Sequence, residues 1–357
     1  MNNKTWTVLG IMSGTSLDGV DFCLSRFTPS ANGWDFTIEQ AETISYDETW
    51  LARLRFNPQL SATDLLQLDS DYGNHLAKLT CAFLKKHNIE SGTIDAIASH
   101  GHTLYHQPQK RYTCQIGNGP QIFTQLGVTT ICDFRTQDIA LGGQGAPLVP
   151  MGDALLFSNY QACLNLGGFA NISFSNEMGR TAFDICAVNF VFNHLSEKLG
   201  YSFDKDGALA KSGNVNQVLL KKLNHLDYYK QKWPKSLGAE WVNQQVFPLL
   251  KSAGLSETDS LATYAHHAAQ QIKLVLNQHS IKNCLLTGGG AFNSYFVQLL
   301  SESSTCKIEI PDHNLINYKE ALIFAFLGVL KLQNKNNVLS QVTGSSRDHS
   351  AGIIYQS

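Results

Sequence analysis

No apolar run in the 357-residue chain approaches the roughly 18 residues that a membrane helix requires. The longest, ALIFAFLGVL from Ala321 to Leu330, is predicted to be a buried helix. CxxC pairs are missing as well. The eight cysteines, Cys23, Cys81, Cys114, Cys132, Cys163, Cys186, Cys284 and Cys306, stand singly among mostly apolar neighbours. That pattern reads as reduced, buried thiols of a cytoplasmic protein, not as a disulfide framework. Twelve histidines include no HExxH spacing, and the adjacent His266 and His267 would point to different helix faces, so a shared metal is not expected. With 27 basic and 29 acidic residues and no Lys/Arg block, nucleic acid is not an expected partner. MNNKTWTVLG lacks the apolar core of a secretory signal. Neither a GxxxxGK[ST] loop nor a GxGxxG leading from strand to helix is present, which excludes the P-loop and Rossmann readings.

What is there describes a compact globule, 43% hydrophobic and 16% charged, longer than the roughly 250 residues at which single cores stop growing. Two lobes of similar size are expected. An internal repeat supports them. TWTVLGIMSGTSLDGVDFCLSRF, a strand, a Gly-rich turn and a second strand, has a counterpart in QACLNLGGFANISFSNE. Further on, DYGNHLAKLTCAFLKKHNI runs into TIDAIASHG as LATYAHHAAQQIKLVLNQHS runs into KNCLLTGGG. Both helical stretches carry apolar residues three or four apart, Tyr72, Leu76, Leu79 and Phe83 in one and Leu261, Ala265, Ala268 and Ile272 in the other, as helices covering a sheet do. Each half therefore reads as hairpin, insert, helix, strand and Gly turn, an α/β lobe with a mixed sheet flanked by helices. The Gly- and Pro-rich segment Asp133 to Pro150 reads as the interlobe passage, dividing the chain into 1–135 and 136–344, with the tail 345–357 returning to the first lobe. Asn224 to Trp241 reads as an insert on the second.

Three glycine turns carry the functional signal. Ser13, Gly14, Thr15, Ser16, Leu17, Asp18 and Gly19 form a hairpin tip with three hydroxyls, two glycines and a carboxylate. Glycine lets backbone N–H groups approach an anion, hydroxyls add donors, and Asp18 could hold the water shell of Mg²⁺. An ordinary tight turn uses the same residue types. Gly167-Gly168 and Gly288-Gly289-Gly290 admit the same two readings one by one. Two turns at corresponding places in a duplicated chain, joined by a triple-glycine turn, favour a nucleotide cleft between the lobes.

GIMSGTSLDGVD, SHGHTLYHQP, DFRTQDIALGGQGAPLVP, LNLGGFANIS, FDKDGALAKSG, LLTGGGAFNS, YKEALIFAFLG and NNVLSQVTG together resemble the anhydro-N-acetylmuramic acid kinase family. They extend from the first strand to the C-terminal tail. The resemblance implies two actin-like (ribonuclease H-like) lobes, ATP with Mg²⁺, a small-molecule sugar substrate, and a homodimer in the bacterial cytoplasm that recycles peptidoglycan fragments. It also implies that the stretch from Ser13 to Val20 binds ATP. In the implied reaction water opens the 1,6-anhydro ring at the anomeric carbon while the released O6 attacks the γ-phosphate. Asp184, in TAFDICAVN, matches the base that takes a proton from that water. A helix N-cap before VNFVFNHLSEKL is the competing reading of the same residue. Arg135 and Glu320 match positions near the sugar, where Arg135 would pair with the lactyl carboxylate and Glu320 with sugar hydroxyls; a surface ion pair and a helix-start carboxylate are the alternatives.

The chain departs from the family at one telling place, FDICAVN where FDTGPGN is usual. If the backbone there needs positive φ or close approach to a ligand, β-branched Ile185 and Val188 would be strained or would block the site. A same-fold kinase for another sugar, or a catalytically weakened nucleotide-binding protein, are the alternatives this raises. His102 stands where Gln is common, and both donate a hydrogen bond. His100 and His106 read as structural residues or as part of the sugar pocket.

Overall fold

A computed structural model describes residues 4–31, 33–55, 59–177, 179–302 and 304–357. In chain order the strands are β1 (Trp6–Ser13), β2 (Val20–Ser30), β3 (Gly33–Ile44), β4 (Ala96–Gln107), β5 (Tyr112–Ile116), β6 (Thr130–Cys132), β7 (Ala162–Leu166), β8 (Phe169–Asn176), β9 (Gly179–Ala187), β10 (Asn283–Thr287), β11 (Lys307–Glu309) and β12 (Ile353–Tyr355). They form two mixed sheets, one in each of two compact units, Met1–Ser158 with Tyr318–Ser357, and Asn159–Asn317.

The first sheet runs β12-β6-β4-β1-β2-β3, with β5 attached to β4. β1, β2 and β3 form an antiparallel meander, while β4 runs parallel to β1 and β6 parallel to β4. The second sheet runs β11-β10-β7-β8-β9. There β7, β8 and β9 are the meander, and β10 is parallel to both β7 and β11. Both sheets thus share one plan, a three-strand meander extended by two parallel strands beyond its first strand. This is the architecture of an actin-like lobe, twice over.

The long helices form where the apolar periodicity lies. Ala62–Lys86 is capped by the Ser61 hydroxyl, which accepts from the Asp64 N–H at 3.1 Å, and it buries Tyr72, Leu76 and Phe83. Glu257–Gln278 is capped in the same way by Ser256 and buries Leu261, Ala265, Ala268 and Ile272. The predicted buried helix is part of His313–Leu332, with every residue from Ala321 to Leu330 in the interior. It lies very close to the sheet. A Cβ added at Gly10 of β1 would sit 1.9 Å from the Ala321 carbonyl oxygen. Gly10→Ala should therefore push helix and sheet apart and cost about 3 kcal/mol, read as a lower urea midpoint. An unchanged midpoint would contradict so close an approach.

Two features differ from the sequence reading. The units divide near 158 and 318, not near 135 and 344. Residues 136–158 stay with the first unit because buried Asp138 accepts the Gly145 N–H and the Thr343 hydroxyl, each at 2.7 Å, and because Phe157 packs edge-on to Phe36 of β3. The C-terminal tail lies in that unit as well, through β12 pairing with β6. Secondly, SHG is not a turn: β4 continues through it to Gln107, and Gly101 takes up the irregular register with β1 at φ +71°. Among the described residues no helix is long and apolar enough to cross a membrane.

Candidate active site

The turn from Ser13 to Val20 joins β1 to β2, whose last pair is Ser13 with Val20. Only part of it faces outward. Val20 is wholly buried in the core of the first unit, and the Ser13 hydroxyl is 2% exposed. Ser13 Oγ lies 2.9 Å from His102 Nδ1 and 2.6 Å from the Tyr46 hydroxyl, which in turn meets the Tyr72 hydroxyl. Burial pulls the His102 pKa down to about 4, partly opposed by its bond to the Leu54 backbone. A neutral ring carries a single N–H, and the Ser13, His102, Tyr46 and Tyr72 side chains form one buried hydrogen-bonded chain behind the turn. Thr15 and Ser16 are the hydroxyls left at the surface.

At the tip, Ser16 donates to Asp18 Oδ1 at 2.7 Å, and Leu17 takes φ +62°, an uncommon conformation for a branched residue that must be held by its surroundings. Gly19 is required sterically, because an added Cβ would lie 2.6 Å from the Ile44 carbonyl oxygen. Asp18 is exposed. Among the described residues no group of three His, Cys, Asp or Glu side chains could cage a metal ion. A single exposed carboxylate suits Mg²⁺ that keeps its waters and takes its other ligands from phosphates. Sequence reasoning passed over Asp21, at the start of β2, as a titrating group. It accepts from Thr43 at 2.6 Å, and its pKa is raised to about 6 by burial against that bond, with the charges of Asp18 and Glu320 adding to the rise.

Arg135 is half-buried and, among the described residues, belongs to no surface ion pair. Its Nε–H donates to His100 Nε2 at 2.8 Å and its NH1 to the Gly145 carbonyl at 2.6 Å. Since arginine has no acceptor, His100 presents a lone pair at Nε2 and donates through Nδ1 to the Gly101 carbonyl, 2.9 Å away. Burial, then the neighbouring guanidinium, hold His100 well below its usual pKa. Desolvation lowers Arg135 to about 10, with Glu320 and Asp138 opposing. The guanidinium is still charged at neutral pH. Glu320, an interior residue of the helix His313–Leu332 and not its start, has its pKa raised by desolvation of the carboxyl, against the opposing charges of Arg135 and Lys319, although part of the residue reaches solvent. The structure thus brings Arg135, Glu320, Asp18 and Asp21 into one electrostatic neighbourhood of the first unit.

In the second unit the other two glycine turns lie together, at the ends of the parallel strands β7 and β10. Gly288, at φ +82°, would place a Cβ 2.7 Å from Asn165 Oδ1, and Gly290 one 2.7 Å from Leu166 Cβ. These two glycines exist to let the turns touch. Gly289, by contrast, would meet only Asn189 Nδ2 at 3.8 Å, and Gly168 only Phe190 Cβ at 3.9 Å. The Gly167 and Gly168 carbonyls accept the N–H groups of Asn189, Val188 and Phe190 at the start of the helix Asn189–Lys198. Asn189 also donates to the Leu166 carbonyl at 3.2 Å, so backbone and side chain both tie it to the Gly167-Gly168 turn. It is the closing residue of FDICAVN, and its retention was the available signal.

Asp184 lies inside β9, three residues before its end, so the helix N-cap reading fails. Its pairing with Asn171 is followed at once by a bulge in which Ile185 has no partner, a device that re-aims side chains. One oxygen, Oδ2, accepts the Leu237 N–H at 2.9 Å. Burial raises the Asp184 carboxyl above the ordinary range, and that hydrogen bond opposes the rise. Ile185 and Val188 do not take the positive φ that would have strained them. Ile185, Cys186, Ala187 and Val188 all enter the core of the unit. The run continues β9 to Ala187 and into the core. His266 and His267 bond separately, to Tyr295 and to Asn224 with Tyr229.

Residues 6–357 match the family model described as anhydro-N-acetylmuramic acid kinase. A protein of that name from Sulfurimonas denitrificans is 31% identical, the alignment spanning 98% of this chain and 99% of that one. One from Actinobacillus pleuropneumoniae serotype 7 is 35% identical over 97% and 98%. Among solved structures, the activator of the 2-hydroxyisocaproyl-CoA dehydratase from Clostridium difficile with bound ADPNP aligns at 13% identity and a TM-score of 0.44, covering 92% of this chain and 97% of that one. A match across nearly the whole sequence, with relatives 31% and 35% identical over 98% and 97% of the chain, makes this protein a member of the anhydro-N-acetylmuramic acid kinase family, phosphotransferases that act on a sugar hydroxyl.

Proposed function

We propose that the protein hydrolyses 1,6-anhydro-N-acetylmuramic acid and phosphorylates its O6 with ATP, giving N-acetylmuramic acid 6-phosphate and ADP. Asp184 is the base. Water attacks the anomeric carbon and gives its proton to the Asp184 carboxylate, the C1–O6 bond breaks with its electron pair on O6, O6 attacks the γ-phosphorus, and ADP departs with the bridging oxygen. The observation that carries this reading is the state of Asp184, a desolvated carboxylate on a bulged strand with one oxygen already fixed by Leu237. A base of that kind keeps one oxygen to receive a proton and has a raised affinity for it.

Arg135 pairs with the lactyl carboxylate, which suits a desolvated guanidinium whose bonds go to a neutral imidazole and a carbonyl. Glu320 accepts from sugar hydroxyls. ATP is held by the backbone and outward hydroxyls of the turn from Gly14 to Gly19 and by Gly167, Gly168 and Gly288 to Gly290. Gly289 and Gly168 in particular leave room for a ligand beside the backbone. Mg²⁺, held through water by Asp18, would neutralise phosphate charge. The setting proposed is recycling of cell-wall fragments by a homodimer in the bacterial cytoplasm.

Incubation with ATP, Mg²⁺ and the anhydro sugar, followed by mass spectrometry and phosphorus NMR, should yield the 6-phosphate with one ADP per sugar. Phosphorylation of other sugars at equal rates, or none of this one, would refute the assignment.

A further inference from the structure

Residues 228–237 pass over the end of β9 and touch Asp184 at three points. The Tyr228 hydroxyl donates to the Asp184 carbonyl at 2.6 Å, the Asp184 N–H donates to the Lys235 carbonyl at 3.4 Å, and the Leu237 N–H donates to Asp184 Oδ2 at 2.9 Å. The segment is closed on itself. Lys235 Nζ donates to the Tyr228 carbonyl at 3.4 Å and lies 4.5 Å from the centre of the Tyr228 ring. Trp233 stacks on Phe183, the residue before Asp184, with ring centres 6.2 Å apart.

We infer that Tyr228 and Lys235 are positioning residues, which lock this strap against β9 so that Leu237 holds one oxygen of Asp184 and only Oδ1 is left to take the proton from water. The inference rests on Asp184 being the base. The bulge interrupts the β8–β9 ladder directly beside Asp184. Bonds to the Asp184 carbonyl, amide and carboxylate fix the residue where the ladder does not. The charge of Lys235 faces the Tyr228 ring at 4.5 Å and the Phe183 ring of β9 at 5.7 Å, so it ties the strap to the strand. The ionisable groups beside Asp184 are Cys186 on its own strand, Tyr228 on the turn and Lys235 on the loop. Burial pushes the Cys186 thiol and the Tyr228 hydroxyl far above their usual range, so neither titrates with it.

Loosening the strap weakens the Leu237 bond that holds the Asp184 carboxyl down, so its titration should move to higher pH. Full-length wild type, Tyr228→Phe, Lys235→Met and Asp184→Asn, labelled with ¹³C at aspartate side-chain carboxyls, distinguish the outcomes. Asp184→Asn identifies the signal. Tyr228→Phe should raise its midpoint by about half a pH unit and lower kcat about tenfold with KM for ATP unchanged. A smaller shift of the same sign is expected for Lys235→Met, which judges the strap if Tyr228→Phe does not fold. Wild-type titration and kcat in these variants, with Asp184→Asn inactive, would overturn the strap and leave the base standing. Full activity of Asp184→Asn would remove both.

Discussion

Asp184→Asn is expected to bind ATP as the wild type does and to lose turnover by roughly three to four orders of magnitude. The substitution is nearly isosteric, and the amide oxygen can still accept from Leu237. What changes is the other end of the group, which presents an N–H₂ donor where the wild type presents an acceptor. Water approaching the anomeric carbon then has nowhere to leave its proton. The wild-type pH profile follows from the same residue. Burial raises the Asp184 carboxyl above the usual aspartate range. The base works only when ionised, so kcat should fall as pH falls through that raised value, at higher pH than an exposed aspartate would dictate. Asp21, raised to about 6, titrates on the same side, and Asp21→Asn separates the two limbs. Turnover of Asp184→Asn within tenfold of wild type, measured by ADP release, would take Asp184 out of the mechanism.

Arg135→Met should lower kcat/KM for the anhydro sugar about 100-fold, chiefly through KM. Arg135 has lost water, and its bonded partners are a neutral imidazole and a carbonyl, while Glu320 acts on it electrostatically. A cation so placed gains most from an incoming carboxylate. The lactyl group is the carboxylate of this substrate. With 1,6-anhydro-N-acetylglucosamine, which lacks that group, wild type and Arg135→Met should therefore differ little. An equal loss on both sugars, read from steady-state kinetics, would show that Arg135 acts elsewhere.

The duplicated plan was legible in the sequence because each half repeats a strand, a glycine turn and a strand, followed by a helix with a clear apolar stripe. Gly167-Gly168 and Gly288 to Gly290 were legible as turns, and parallel pairing of β7 with β10 explains their company. The domain limits were harder to read. Asp133 to Pro150 has linker composition, yet buried Asp138 binds it to Thr343, some 200 positions along the chain, a link that no local pattern displays. The same reason hid the partners of the site residues. His100 under Arg135, His102 behind Ser13 and Leu237 on Asp184 are contacts between distant segments, and a backbone N–H such as that of Leu237 leaves no mark in residue type. The apolar FDICAVN run was a true departure, and the positive φ on which the expected strain was conditioned is absent. Expected strain presupposed a loop, whereas β-branched residues there extend a strand into the core.

In the proposed reaction water enters at the anomeric carbon while phosphate goes to O6. Turnover of the anhydro sugar with ATP in H₂¹⁸O, followed by mass spectrometry of the product, tests both at once. One ¹⁸O at C1 and none in the phosphate is the predicted result; ¹⁸O in the phosphate, or a phosphorylated product that keeps its anhydro ring, would contradict it.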